Sequence, residues 1–186
     1  MSAPTDPSNI LEELPGDLMI WVLIVSELLV FGAGLAAFLA VRITDPAGFA
    51  GAQDHLNRAM AGANTIILVT SGFLAARAMR LSACALRVQA RRMLIAAALL
   101  GAVFLWIKLL EYRADAAAGI DIETSAFFMF YYLLTGFHAA HVAAGIVILL
   151  LVAWQDAPHN IEAAAAFWHM VDLVWVILFP VIYLLR

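Results

Sequence analysis

Five ionisable residues stand inside long apolar runs of this chain: Glu27, His138, His141, His169 and Asp172. Carboxyl and imidazole groups so placed can do three kinds of chemistry. They can hydrogen-bond to one another and fix how helices pack. They can exchange protons, because low-dielectric surroundings favour the neutral forms of both groups. They can ligate a metal, since His138-x-x-His141 and His169-x-x-Asp172 are usable donor sets. The residues alone leave all three readings open. A second group is Lys108, Glu111 and Tyr112. Lys108 and Glu111 are three residues apart and can pair on one helix face. Alternatively, Lys108 can reach the interface and make this group a contact for a partner subunit or a lipid headgroup. Other chemistry has no foothold. There is no phosphate-binding glycine loop, nucleophile elbow or Cys-x-x-Cys-His haem attachment. Cys84 is the one cysteine, so an intrachain disulfide is impossible.

The elements that must position these groups follow from composition. Hydrophobic residues make up 65% of the 186 positions, charged residues only 13%, and mean hydropathy is +0.95. Soluble domains are about half apolar and about a quarter charged, so lipid is the solvent that fits this chain. The expected fold is an all-α integral membrane bundle of five transmembrane helices. The spans are read at about 17–41, 59–76, 93–112, 124–154 and 161–185, each near the roughly 20 residues that cross a bilayer. Residues 1–16 read as a flexible cytoplasmic tail, and residues 17–186 as the membrane domain. The turn signal Asp45-Pro46-Ala47-Gly48 closes the first span. The stretch Ala61-Gly62-Ala63 and the pair Ser71-Gly72 suit close helix contact in lipid. Strands are excluded by the length and continuity of the apolar runs.

Between the second and third spans lie Arg77, Arg80, Arg87, Arg91 and Arg92, five of the ten Lys and Arg in the chain. Short basic loops stay cytoplasmic, which puts the N-terminus inside and the C-terminus outside. Alternating span directions bring Glu27, His138, His141, His169 and Asp172 to similar depth. Each His/His or His/Asp pair shares one helix face, so three helices are expected to present one buried polar cluster. A net charge of -4, with no basic domain outside the membrane, gives no sign of a nucleic-acid partner.

The motifs then show a resemblance. Thr135-Gly136-Phe137-His138-Ala139-Ala140-His141-Val142 resembles the span motif of subunit III of the haem-copper oxidases. Phe167-Trp168-His169-Met170-Val171-Asp172-Leu173-Val174-Trp175 resembles that family's final helix. Ser26-Glu27 with Phe31 resembles its first core helix, Asn64-Thr65 with Thr70-Ser71-Gly72 the next, and Glu111-Tyr112 a pair in the third. The likeness covers about residues 15–186, in order. It implies a subunit III-like bundle lacking the first two helices of long members. Leu14-Pro15-Gly16-Asp17 and the run from Ile24 to Arg42 look most like the accessory member associated with bacterial nitric oxide reductase, which reduces nitric oxide to nitrous oxide. Ala139-Ala140 departs from the Gly-Leu that oxidase members usually have there.

The resemblance implies a non-catalytic accessory subunit with no cofactor of its own. The haem, and iron or copper, would sit in a catalytic membrane partner, and phospholipid would be a further partner. It implies Glu27 as a buried carboxylate, with His138, His141, His169 and Asp172 as its network, and Glu111 as a conformational or lipid-contact acid. The implied location is the bacterial inner membrane, with a periplasmic C-terminus. The expected complex is nitric oxide reductase; the alternative is a terminal cytochrome c or quinol oxidase. A membrane metalloenzyme and a small proton-coupled transporter are more distant alternatives.

Overall fold

A computed structural model of the chain describes residues 18–155 and 158–185; the expected tail lies outside them. The described residues are mostly helical and form no strand. The helices are α1 (Leu18–Thr44), α2 (Pro46–Gln53), α3 (Arg58–Ala83), α4 (Arg87–Ala117), α5 (Ala126–Gln155) and α6 (Pro158–Phe179), the last running into a π-helical turn, Pro180–Leu184. Five of these segments are long and apolar enough to cross a membrane: α1, α3, α4, α5, and α6 with its π turn. Helices α3 to α6 form a four-membered ring in which α4 packs between α3 and α5 and α6 closes the circle. Helix α1 lies outside the ring against α5 and α6.

Local chemistry sets most helix ends. Asp45-Pro46-Ala47-Gly48, expected as a turn, instead starts α2. Pro46 takes the first helical turn, where its missing N–H costs nothing, and Asp45 Oδ1 accepts from the Gly48 N–H at 3.0 Å. Asn57 caps α3 by accepting from the Met60 N–H. At the end of α4, Gly119 adopts φ 74°, which only glycine takes without strain. The Ile120 and Gly119 N–H groups then close on Asp115 and Ala116 carbonyls, the six-residue stop common at helix ends. Helices α3 and α4 overrun the apolar stretches read from sequence, to Ala83 and back to Arg87. Arginine is a good helix former, so the hydrogen-bond ladder continues where the hydrophobic run stops.

The ring packs on small residues. Ala75 and Ala78 of α3 and Ala97 and Ala98 of α4 are buried, which lets the two backbones approach closely. Polar side chains in this core are tied across helices. The Trp168 indole N–H donates to Ser71 Oγ at 3.1 Å, and Ser71 donates to the Ala97 carbonyl at 2.7 Å. The Trp175 indole donates to Thr65 Oγ1 at 3.0 Å. At the C-terminal end of α6, Pro180 removes a backbone donor and the ladder widens into the π turn. Two side chains satisfy carbonyls there. Gln53 Nε2 donates to Ile182 O at 2.7 Å, and the Arg42 guanidinium donates to Leu185 O. Helices α1 and α2 are thereby fastened to the end of α6.

Candidate functional site

The five residues expected to form one cluster fall into three places. Glu27 of α1 meets His141 of α5, with His141 Nε2 and Glu27 Oε2 3.0 Å apart. No hydrogen bond joins the two groups, and Glu27 Oε2 is left without a hydrogen-bond partner, so they meet as a close polar contact. His141 Nδ1 lies 2.9 Å from the Phe137 carbonyl, which suits an Nδ1–H donor and leaves Nε2 to face Glu27. His138, one turn away, points elsewhere. It is fully buried against Phe31, Phe104 and Trp175, and neither ring nitrogen has a hydrogen-bond partner. His169 and Asp172 sit on the outer face of α6 beside Gly72 of α3. His169 is exposed, Asp172 half-buried, and Asp172 Oδ1 has no hydrogen-bond partner.

The expectation of one buried cluster is therefore corrected. Residues three apart on a helix share a face only to within about 60°. His138 turns into the ring while His141 turns to α1, and His169 turns away from both. Among the described residues, no group of three or more His, Cys, Asp or Glu side chains stands close enough to hold a metal ion.

The densest polar centre is built on Lys108, which is only 2% exposed. Its ammonium donates to Glu111 Oε2 at 2.9 Å, to Tyr131 OH at 3.1 Å and to Tyr183 OH at 2.9 Å. Tyr183 OH in turn donates to Glu111 Oε1 at 2.9 Å. All three ammonium protons have acceptors, and both carboxylate oxygens have donors. The rings of Tyr112 and Tyr131 lie 4.8 Å from the ammonium, and Trp175 at 5.6 Å, within cation–π range. Tyr112 itself turns its hydroxyl to Thr135 Oγ1 at 2.7 Å. Asp115 is buried one turn further along α4.

Lys108 and Glu111 therefore do not reach an interface or a lipid headgroup. They are enclosed by their own bundle and bind α4, α5 and the end of α6 together. Sequence reasoning missed Tyr131 and Tyr183. The usable signal was that a lysine inside a span requires acceptors, and tyrosine hydroxyls on neighbouring spans can supply them. Trp175 stacks on His138 and also faces Lys108, so the two buried groups share one aromatic wall.

The Glu27–His141 contact yields a first expected result. Glu27→Gln keeps a hydrogen-bonding group opposite His141 and should leave the fold intact. Glu27→Leu strands the imidazole and should cost about 1–3 kcal/mol. Denaturant titration in detergent measures both, and equal stability of Glu27→Leu and the wild type would sink the idea that this contact holds α1.

These features define an all-α, multi-pass membrane protein with buried polar ties between its spans. The chain belongs to the cytochrome c oxidase subunit III family, which matches over residues 16–186. It is 30% identical to cytochrome c oxidase subunit 3 of Synechocystis sp., over 87% of this chain and 72% of that protein. It is 32% identical to the Thermostichus vulcanus subunit of the same name, over 88% of this chain and 84% of that one. Similarity extends to cytochrome bo(3) ubiquinol oxidase subunit 3 of Pseudomonas aeruginosa, at 28% identity over 89% and 82% of the two chains.

Proposed function

We propose that this chain is the non-catalytic third subunit of a haem-copper terminal oxidase, packed in the membrane beside the haem-bearing subunit. The family match supports this, and so do relatives named as subunits of cytochrome c and quinol oxidases. The observation that carries the non-catalytic reading is the Lys108 centre. Its charged and hydroxyl groups are enclosed and spent on one another, as befits a helix clamp and not a reaction site. The order of the two complexes is thereby reversed from the sequence expectation. Nitric oxide reductase remains the second reading, supported by Leu14-Pro15-Gly16-Asp17 and by Ala139-Ala140 in place of Gly-Leu. The proposed location is the bacterial inner membrane. The arginines flanking the α3–α4 turn support a cytoplasmic position for that turn, with the end of α6 outside.

The test is purification of the tagged chain from its native membranes in gentle detergent, with an optical spectrum and metal analysis of what accompanies it. Haem with copper is expected. Haem b and c with iron but no copper would transfer the chain to nitric oxide reductase. Reproducible isolation of the chain free of haem would overturn both. Topology is read from Cys84, exposed at the α3–α4 turn. An impermeant maleimide should label it only after the cells are opened, and labelling of intact spheroplasts would invert the orientation.

A further inference from the structure

The two buried cations of this chain are unequally provided for. Lys108 has Glu111 as its counter-ion. Arg42, at the end of α1, is only 9% exposed, and no carboxylate of the described residues forms an ion pair with it. The nearest acid in sequence, Asp45, turns its carboxylate back onto Gly48. A guanidinium carries five N–H donors. One, on Nη1, goes to the Leu185 carbonyl. Nε and Nη2 find no acceptor among the described residues, yet they are not closed off in the interior. They open on a groove of about 510 Å³ between the end of α1, the start of α2 and the end of α6.

The rest of the groove is Leu39, Ile43, Pro46 and Leu185, all apolar and all exposed. Leu39 and Ile43 are one turn apart on α1, so an apolar strip runs from the guanidinium toward the membrane interior. Arg42 is eleven residues beyond Phe31, the central residue of α1, which places it about 16 Å from the middle of that helix. Hydrocarbon ends about 15 Å from the bilayer centre. The guanidinium therefore stands where hydrocarbon gives way to lipid phosphate. A cation enclosed there without a counter-charge is unfavourable. A soluble anion would answer the charge and leave the apolar walls wet, and an apolar chain alone would do the reverse. A phospholipid answers both, with phosphate and hydrocarbon in the order the groove presents them. Helix α1 also has the most surface to give to lipid, since 11% of its apolar stretch is buried against 33% or more in the other spans.

We propose that Arg42 and this groove bind one anionic phospholipid, whose phosphate accepts from Nε and Nη2 and whose acyl chain lies along Leu39 and Ile43. The planar fork of arginine matches two phosphate oxygens. The groove has no acidic side chain to receive a headgroup ammonium, which favours a lipid of net negative charge over a zwitterionic one. With Nη1 on the Leu185 carbonyl, the same side chain joins the lipid to α1 and to the end of α6. The site goes beyond the subunit reading and does not depend on which complex the chain serves.

Two measurements test it on the full chain with whatever accompanies it. In native membranes, a photoactivatable benzophenone residue at Ile43 is compared with one at Val30, exposed on α1 away from the groove. Mass spectrometry of the adducts should show anionic phospholipid at Ile43 in at least about three times its share at Val30. Equal shares would overturn the proposal. So would adducts at Ile43 that are mainly protein, since a carboxylate of a second copy or of another subunit would then answer Arg42. The second measurement is titration with dioleoyl phosphatidylglycerol in gentle detergent, read by native mass spectrometry. Arg42→Gln, which keeps an N–H for the Leu185 carbonyl, should weaken the tightest lipid at least about tenfold. Arg80→Gln makes the same charge change at the other end of the bundle and should leave that lipid unchanged. Ile43→Glu sets a carboxylate in the groove while Arg42 keeps its tie to Leu185, and should weaken the lipid as much, so a folding defect in Arg42→Gln would not hide the result. Wild-type affinity in both groove variants would overturn the site, and displacement of the lipid by millimolar glycerol phosphate would make it a site for a soluble anion instead.

Discussion

Lys108→Met is expected to destabilise the protein by about 3–5 kcal/mol, because it leaves the Glu111 carboxylate buried without its cation. Glu111 is 5% exposed, so water cannot replace the ammonium. Tyr183 OH would remain as a donor to Oε1, but Oε2 would lose its charged partner. The loss should spread beyond the pair. Lys108 draws Tyr131 of α5 and Tyr183 at the end of α6 onto α4, so its removal frees three elements at once. The companion variant separates charge from packing. Lys108→Met combined with Glu111→Leu removes both charges, and should recover most of the loss, since a buried ion pair replaced by apolar side chains is often close to neutral. Unfolding of wild type, single and double variants in mixed detergent micelles measures the three values. A Lys108→Met cost below about 1 kcal/mol would mean that the centre is wet and the clamp weak, in the range of surface ion pairs.

That centre also marks where sequence reasoning reached its limit. The spans were legible because a run of about 20 apolar residues has one economical fate in a bilayer. The three-residue spacing of Lys108 and Glu111 was legible as a pair, since helix geometry is local. What enclosed the pair was not, because Tyr131 and Tyr183 arrive from spans 23 and 75 residues away. The same limit divided the five-residue cluster. Spacing places His138 with His141, and His169 with Asp172, but gives no rotation of one helix about its axis relative to another. A turn of about 60° separates a histidine that meets Glu27 from one sealed behind Trp175. The misread turn at Asp45-Pro46 has a different cause. Aspartate before proline suits both a turn and a helix start, and the choice depends on Gly48 folding back to the Asp45 carboxylate.

The other large effect is expected at a glycine that carries no chemistry. Trp168 lies between two glycines of different helices. A Cβ on Gly145 of α5 would stand 2.6 Å from Trp168 Cε3 and Cζ3, and a Cβ on Gly101 of α4 2.6 Å from Trp168 Cη2. These are closer than carbon atoms tolerate, so something must move. The ring has little freedom to do so. It is about 1% exposed, a glycine helix closes each side, and its N–H is held by Ser71. The strain must therefore pass to the α4–α5 separation, which the Lys108–Tyr131 bond fixes nearer the C-terminal end of α4. Gly145→Ala should cost about 3 kcal/mol, the upper end for an overpacked core. Adding Trp168→Leu removes the clash, so that the tryptophan change should cost clearly less in the Gly145→Ala background than alone. A coupling of about 1–3 kcal/mol between the two sites is expected from the four unfolding free energies. Additive costs would mean that Gly145 is not where α5 receives the ring. The close approach of α4, α5 and α6 would then depend on the alanine stripe and the polar ties, and not on the two glycines that face the indole.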